Sequence, residues 1–508
     1  MCRRSVCKAC CPASVFRTGK APRSFVLVVP ALLLGLFTPA VHAETRPNIV
    51  VIVTDDQRWD ELDGMPIVHR LLVDKGVTFS NAFVVNPLCC PSRASILTGE
   101  YSHTSGVYRE IPPYGGFEAL HDGSTIATWL DAAGYDTALV GKYIDRYQTP
   151  ALSGYVPPGW DRWVAFVHSQ YYDYGLSVDG AIQRYGHEPT DYSTNVLAQY
   201  AERFVRSAAG PLFLYFAPAA PHAPATPGPG LVGAPVPVAP PEPPSLDEAD
   251  VSDKPAWVRR LPRLGPSGIA VEAAFRANQE RTLISVDRAV GGIIDALRDT
   301  GRLQDTLIMF LSDNGILLGE HRWSKKEAPY EEAIRVPLVV RWDGFGGPQG
   351  LVDSHLVLNV DIAQTAAEAA GVSAPGAEGM SLLPLVAGRD PPWRSDFLVE
   401  HMRGSNPVPT FCAVRSETSI YVRYSTGEEE LYDLRSDPYE LVNRAADPSR
   451  LGELDAMRQR LAQLCEPPPP GFYPNASFAA TWVVVGVLAA VLGGAAAIEA
   501  RRQSRKGG

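Results

Sequence analysis

Two polar pairs, Asp55-Asp56 and Asp313-Asn314, lie far apart in the chain, and each follows a short apolar run. Adjacent carboxylates repel one another and gain from a cation. An all-oxygen set of three Asp and one Asn suits a hard ion such as Ca²⁺ or Mg²⁺ rather than zinc. Taken singly, an Asp after a strand is most often a turn former, and a Lys or His in such a place is a solvated surface group. For Lys142 or His222 alone that bland reading would win, as it would for any one of these residues. The stretch from Pro87 to Gly99 adds Cys89-Cys90-Pro91-Ser92-Arg93. Pro91 favours a helix start and Gly99 a stop. Cys89 then sits at a helix N-terminus, where backbone N–H groups favour an anion, and Arg93 shares its face at i+4. A buried inert cysteine beside a surface arginine is the other reading.

Positioning these residues requires a sheet. Residues 48–53 form a continuous β-branched run, the pattern of a strand buried on both faces. Similar runs occupy 137–140, 212–217, 306–311 and 336–340. Helices are expected between them, over 125–133 with Ser124 as cap and Gly134 past the end, and over 275–300 before Gly301. Alternation of this kind implies an α/β sheet with helices on both faces. In such sheets ligands collect outside the carboxyl ends of the strands, where Asp55-Asp56, Lys142, His222 and Asp313-Asn314 all fall. Residues 217–244, dense in Pro, Ala and Gly, predict a surface loop or lid. Beyond about residue 371, strands over 397–400, 412–414, 419–424 and 430–432 and a helix over 451–464 predict a small α+β subdomain.

At these residues the chain resembles the type I, formylglycine-dependent sulfatases of the alkaline-phosphatase-like superfamily. Their hallmark, C-x-P-S-R followed by a small-residue helix ending in T-G, stands here as Cys89-Cys90-Pro91-Ser92-Arg93 through Thr98-Gly99. The likeness extends through Pro47-Asn48-Ile49 before Asp55-Asp56, Gly141-Lys142-Tyr143, Pro221-His222-Ala223-Pro224, Ser312-Asp313-Asn314-Gly315 and Lys326 ahead of Tyr330-Glu331. The double cysteine and the Gly-Lys-Tyr form resemble the N-acetylglucosamine-6-sulfatase branch.

The resemblance implies an alkaline-phosphatase-like α/β fold: a mixed, mostly parallel sheet flanked by helices, with a smaller α+β C-terminal subdomain. It implies hydrolysis of a sulfate monoester. Cys89, converted to formylglycine and hydrated, would supply the nucleophile and form a covalent sulfo-enzyme intermediate. Asp55, Asp56, Asp313 and Asn314, with residue 89, would hold Ca²⁺, Mg²⁺ being the alternative. Arg93 would steady the diol, Lys142 and Lys326 would neutralise sulfuryl oxygens, and His222 would protonate the leaving alcohol. A formylglycine-generating enzyme would act during maturation. One position departs from the pattern: many members carry a His two residues after the lysine, where this chain has Ile144. Asp145, His103 and His321 are the substitutes to weigh, the two histidines being expected in loop or supporting roles. A phosphodiester or phosphonate monoester hydrolase on the same fold and a non-catalytic surface binding protein remain open.

The 508 residues hold 46 Lys+Arg against 56 Asp+Glu, a net of −10. Residues 44–474 carry 36 basic and 55 acidic side chains, a net of −19. A body this acidic argues against nucleic acid as a partner and favours a small or terminal sulfated sugar, or an aryl sulfate, over a site inside a polyanionic chain. The ends carry membrane signals. Residues 1–43, with an apolar run over 25–37 and Val41-His42-Ala43, read as a signal peptide. Residues 44–375 read as the catalytic domain, 376–465 as the α+β subdomain and 466–477 as a Pro-rich stalk. Residues 478–498, which lack charge, read as a transmembrane helix, and 499–508 as a basic cytoplasmic tail. The expected localisation is a single-pass protein of the cell membrane with its catalytic domain outside. Cys412 and Cys465 can pair in an oxidising compartment.

Overall fold

The computed structural model describes residues 46–236 and 242–473. Its strands in chain order are β1 (Asn48–Thr54), β2 (Val77–Phe79), β3 (Ala82–Phe83), β4 (Asp136–Gly141), β5 (Arg162–Phe166), β6 (Gly175–Val178), β7 (Ala181–Arg184) and β8 (Leu212–Ala217). There follow β9 (Thr306–Ser312), β10 (Leu338–Arg341), β11 (Leu351–Asp353), β12 (Val357–Leu358), β13 (Asp396–His401), β14 (Phe411–Ser416), β15 (Ser419–Tyr424) and β16 (Glu429–Asp433). Ten of them form one sheet in the order β11-β2-β10-β9-β1-β8-β4-β5-β6-β7. Its centre, β9-β1-β8-β4-β5, is parallel throughout, while β10 and β6 run antiparallel to their neighbours.

The apolar run of β1 is continuous because both of its faces are covered. Ile49, Val51 and Val53 enter one apolar cluster, and Val50 and Ile52 enter another on the opposite side. Each such burial contributes roughly 1.5–3 kcal/mol. Helices Cys89–Thr98, Ile126–Ala132 and Asp361–Ala370 cover the first face, and Ser193–Ser207 and Gly265–Asp299 the second. The expected mixed α/β architecture is thus the observed one.

Among the boundaries that differ from the sequence reading, two helix starts have a clear local cause. The cap of the helix Ile126–Ala132 is Thr125, not Ser124, because Thr128 completes a reciprocal capping box with Thr125, its hydroxyl accepting from the Thr125 N–H at 2.9 Å. Ser124 instead accepts from the Trp129 indole at 3.1 Å. The long helix starts at Gly265 rather than at residue 275, with Pro266 in its first turn, where a missing N–H has no consequence.

The C-terminal part is a four-stranded antiparallel sheet, β13-β14-β15-β16, with the helix Leu451–Leu464 packed against it. A disulfide joins Cys412 on β14 to Cys465 just past that helix, closing a sequence separation of 53. In the chain-entropy account a loop of that size stabilises by roughly 4 kcal/mol. The double variant Cys412→Ala/Cys465→Ala is therefore expected to lose up to about that amount in a denaturant melt. An unchanged midpoint would show that the sheet and helix hold together without it.

The expected localisation is corrected. Among the described residues no helix is long and apolar enough to cross a membrane, which overturns the single-pass assignment. The segments on which that assignment rested, residues 478–498 and the N-terminal residues 1–43, lie outside the described residues.

Candidate active site

Parallel pairing delivers the acidic residues. Thr54 of β1 lies in register with Ser312 of β9, so Asp55-Asp56 and Asp313-Asn314 leave the sheet side by side. The Asp56 N–H donates to Asp313 Oδ1 at 3.1 Å, and Asn314 Nδ2 donates to Asp56 Oδ1 at 2.6 Å. Asp56 has φ 66°, a left-handed conformation that a short polar side chain tolerates, and it turns the chain sharply at the strand end. Gly141 ends β4 opposite Ala217 of β8, and the next N–H, of Lys142, donates to the Ala217 carbonyl at 2.7 Å.

Gly141 is required there. Its φ is 129°, and an added Cβ would stand 1.9 Å from the Ala217 oxygen. Gly141→Ala is expected to displace Lys142 and lower turnover on the order of 10²-fold, the scale of an ångström-level misplacement. Steady-state kinetics beside a thermal melt checks it; turnover within twofold of wild type would mean that this approach does not position the lysine.

The helix Cys89–Thr98 starts at Cys89, two residues ahead of Pro91, and stops at Gly99, with φ 76°, as the sequence predicts for its end. Arg93, one turn on and fully buried, donates from Nε to Asp313 Oδ2 at 2.7 Å and from Nη1 to the Lys142 carbonyl at 3.2 Å. Lys142 Nζ lies 2.6 Å from Asp55 Oδ2. Lys326 Nζ lies 2.6 Å from Asp56 Oδ1 and 3.4 Å from the Cys89 sulfur. His222 turns Nδ1 to the Ala223 carbonyl at 2.7 Å and Nε2 toward Asp56 Oδ2 at 3.7 Å. All nine residues singled out from the sequence converge at one end of the sheet.

Charge balance follows from these contacts. Burial alone would raise the Asp55 and Asp56 carboxyls, but Lys142 and Lys326 respectively lead the cations that outweigh it and hold both groups ionised. Asp313 goes the other way: burial lifts it to about 6, with Arg93 opposing and Asp55 adding. Burial also pushes the Cys89 thiol well above its usual range, against the pull of Lys142 and Lys326. The neutral thiol is a poor nucleophile. Asp55 Oδ1 and Asn314 Oδ1 are buried with no hydrogen-bond partner. Ligand atoms of Asp55, Cys89 and Asp313, and of Asp55, Asp56 and His222, approach closely enough to share an ion. Unpartnered oxygens among carboxylates fit a hard cation.

A cavity of about 450 Å³ opens onto Cys89, Lys142 and His222. Ile144, the residue in place of the family histidine, lines it, and so do Asp145 and Glu110. Asp145 Oδ2 stands 3.7 Å and Glu110 Oε1 3.6 Å from the Cys89 sulfur. Glu110 is the site residue that the sequence reading missed: it sits in an irregular stretch before Pro112-Pro113, with no strand end or motif to mark it. His103 is elsewhere, bonded to Glu400 at 3.0 Å, and His321 is buried against Glu248 at 2.7 Å.

The sulfatase family profile matches residues 47–372, well over half of the chain. The chain belongs to the sulfatase family. A second profile, the C-terminal region of N-sulphoglucosamine sulphohydrolase, matches residues 319–466. This sulfatase is similar to human N-acetylglucosamine-6-sulfatase, at 32% identity over 88% of this chain and 91% of the relative. It shares its fold with a solved structure bound to its substrate D-glucosamine-2-N,6-O-disulfate (TM-score 0.69, 23% identity, 85% and 99% of the two chains). It also shares its fold with the phosphonate monoester hydrolase of Agrobacterium radiobacter (TM-score 0.66, 22% identity, 82% and 95% of the two chains). The sulfatase is a sulfuric ester hydrolase of the type I, alkaline-phosphatase-like group.

Proposed function

We propose that this sulfatase removes a sulfate group from a small or terminal sugar, with residue 89, oxidised from cysteine to formylglycine, as its nucleophile. The observation that carries the reading is the convergence of Arg93, Lys142 and Lys326 with three carboxylates around a sulfur whose thiol form is held neutral. Such a thiol gives weak attack at neutral pH, whereas a hydrated aldehyde at the same point offers a hydroxyl. Cys89 is buried within the first turn of its helix, so a formylglycine-generating enzyme has to reach it before that helix packs.

Lys142 and Lys326 stay charged although burial opposes it, because Asp55 and Asp56 lie against them; Lys142 lines the cavity and Lys326 Nζ lies 3.4 Å from the residue 89 sulfur, so both can neutralise sulfuryl oxygens. Arg93 ties the helix of residue 89 to Asp313 and to the Lys142 carbonyl, which fixes nucleophile and lysine relative to one another. His222 lines the cavity with Nε2 3.7 Å from Asp56 Oδ2, and as the imidazolium it can pass its proton to the leaving oxygen. Asp55, Asp56, Asp313 and Asn314 would hold Ca²⁺, which supplies Lewis-acid polarisation of a sulfate oxygen.

A cavity of about 450 Å³ suits one or two sugar rings. Glu110 and Asp145 line it, and their charge disfavours a long polyanion. The substrate of the structural relative and the name of the human relative make 6-O-sulfated glucosamine the first compound to test.

The fold shared with the phosphonate monoester hydrolase keeps a second reading in view. Purified protein assayed on paired aryl sulfate, aryl phosphonate and phosphodiester substrates separates the two. Higher kcat/KM on the sulfate is expected, and a phosphonate or phosphodiester preference of orders of magnitude would overturn the proposal.

A further inference from the structure

A second group of ligating side chains lies outside the cavity. His321, Glu332 and Glu440 are buried, at 0%, 8% and 1% exposure. One atom of each, His321 Nε2, Glu332 Oε2 and Glu440 Oε1, has no hydrogen-bond partner. The ligand atoms of the three residues lie within 4.8 Å of one another. Two carboxylates and an imidazole gathered this closely, each with an unpartnered buried atom, bring lone pairs together, an arrangement that calls for a positive centre among them.

The histidine is set up as a ligand. Its Nδ1 lies 2.7 Å from Glu248 Oε2, and a proton shared there leaves Nε2 bare. The carboxylate–histidine pairing is the one that orients imidazoles toward metals. The ring is further held by stacking on Tyr330, with centroids 4.0 Å apart. Glu440 is steadied from behind, its Oε2 accepting the Glu331 N–H at 3.0 Å.

We propose that His321, Glu332 and Glu440 form a second metal site, for Zn²⁺ or a similar divalent transition cation, that fastens the Lys326 loop to the C-terminal subdomain. The donor set decides the class of ion: one imidazole with two carboxylates suits a borderline transition cation, whereas calcium and magnesium take oxygen alone. Bonds of about 2.0–2.2 Å set opposite ligands no more than about 4.4 Å apart, so the site closes with small side-chain shifts. His321 and Glu332 flank Lys326 in the chain, and Glu440 follows β16. A cation shared by the three would therefore brace the segment that delivers Lys326 to Cys89.

Protons are the competing occupants. Without a cation, burial lifts Glu332 to about 8 and Glu440 well above the carboxylate range, and it lowers His321 to about 3. The variant Glu332→Gln/Glu440→Gln reproduces the shape of the protonated carboxyls but cannot hold a cation well, which makes the two occupants distinguishable.

Full-length protein stripped of transition metals and kept in excess Ca²⁺ would be titrated with Zn²⁺ against a chromophoric chelator. Wild type is expected to bind one more equivalent than Glu332→Gln/Glu440→Gln, and Zn²⁺ is expected to raise the Tm of wild type alone by several degrees. Equal stoichiometry in the two proteins, with an unmoved wild-type Tm, would overturn the site and assign the carboxyls to protons. X-ray absorption on Zn²⁺-loaded wild type needs no variant. A mixed nitrogen and oxygen shell with one imidazole is expected, and a shell with sulfur, or no retained Zn²⁺, would contradict the proposal.

Discussion

Cys89→Ala is expected to retain the fold and lose sulfate-ester turnover by a factor on the order of 10⁴ or more, the scale of losing a nucleophile while the surrounding charges remain. The side chain is small, and its truncation at the start of a helix removes little packing. Cys89→Ser is expected to be as inactive. A serine hydroxyl here has no base within hydrogen-bond reach: the carboxylates of Glu110 and Asp145 stand at 3.6–3.7 Å from the residue 89 sulfur, and Lys326, at 3.4 Å, is charged. Kinetics on an aryl sulfate together with thermal melts checks both variants. Turnover within tenfold of wild type in Cys89→Ala would move the nucleophile to another residue or to water.

Asp55→Asn is expected to lower turnover by about 10³-fold and, unlike the first variant, also to destabilise. The carboxylate is wholly buried, lies 2.6 Å from Lys142 and 3.7 Å from Arg93, and keeps its other oxygen unpartnered. Removing one member of a buried charge group typically costs about 3–5 kcal/mol, because the remaining charges stay buried without it. The amide also weakens the cation site. A chelator is expected to inactivate wild type reversibly, with added Ca²⁺ restoring turnover, and excess Ca²⁺ is expected to leave Asp55→Asn inactive. Full activity of wild type in chelator, or full stability of Asp55→Asn, would contradict the roles given to this carboxylate.

Much of the site is legible in the sequence, because its residues follow strands that are hydrophobic along their whole length. Residues 48–53 announce a central strand, and a parallel neighbour in register carries Asp313-Asn314 to the same edge as Asp55-Asp56. The spacing of Cys89 and Arg93 predicts one helix face, and both side chains do meet the charged cluster. Other parts leave no such trace. Glu110 reaches the sulfur from an irregular loop, where neither period nor cap marks it. The outer strands of the sheet, β11 and β2 at one side and β6 and β7 at the other, are three or four residues long, too short for alternation to register, and β7 is largely exposed. The helix Ser193–Ser207 buries Val196, Leu197, Phe204 and Val205 along one side against a polar face, an amphipathic pattern that the chain did carry and the sequence reading passed over. The trio of His321, Glu332 and Glu440 depends on a turn and on a residue from the C-terminal subdomain, and tertiary structure alone brings those together.

The central claim, that residue 89 acts as a formylglycine within this charged cluster, is tested most directly by mass spectrometry of its tryptic peptide from active protein made in its own host. The account predicts a peptide lighter than the thiol form by the difference between CH₂SH and CHO, in a fraction that rises and falls with specific activity. A free thiol at Cys89 throughout a fully active preparation would contradict it.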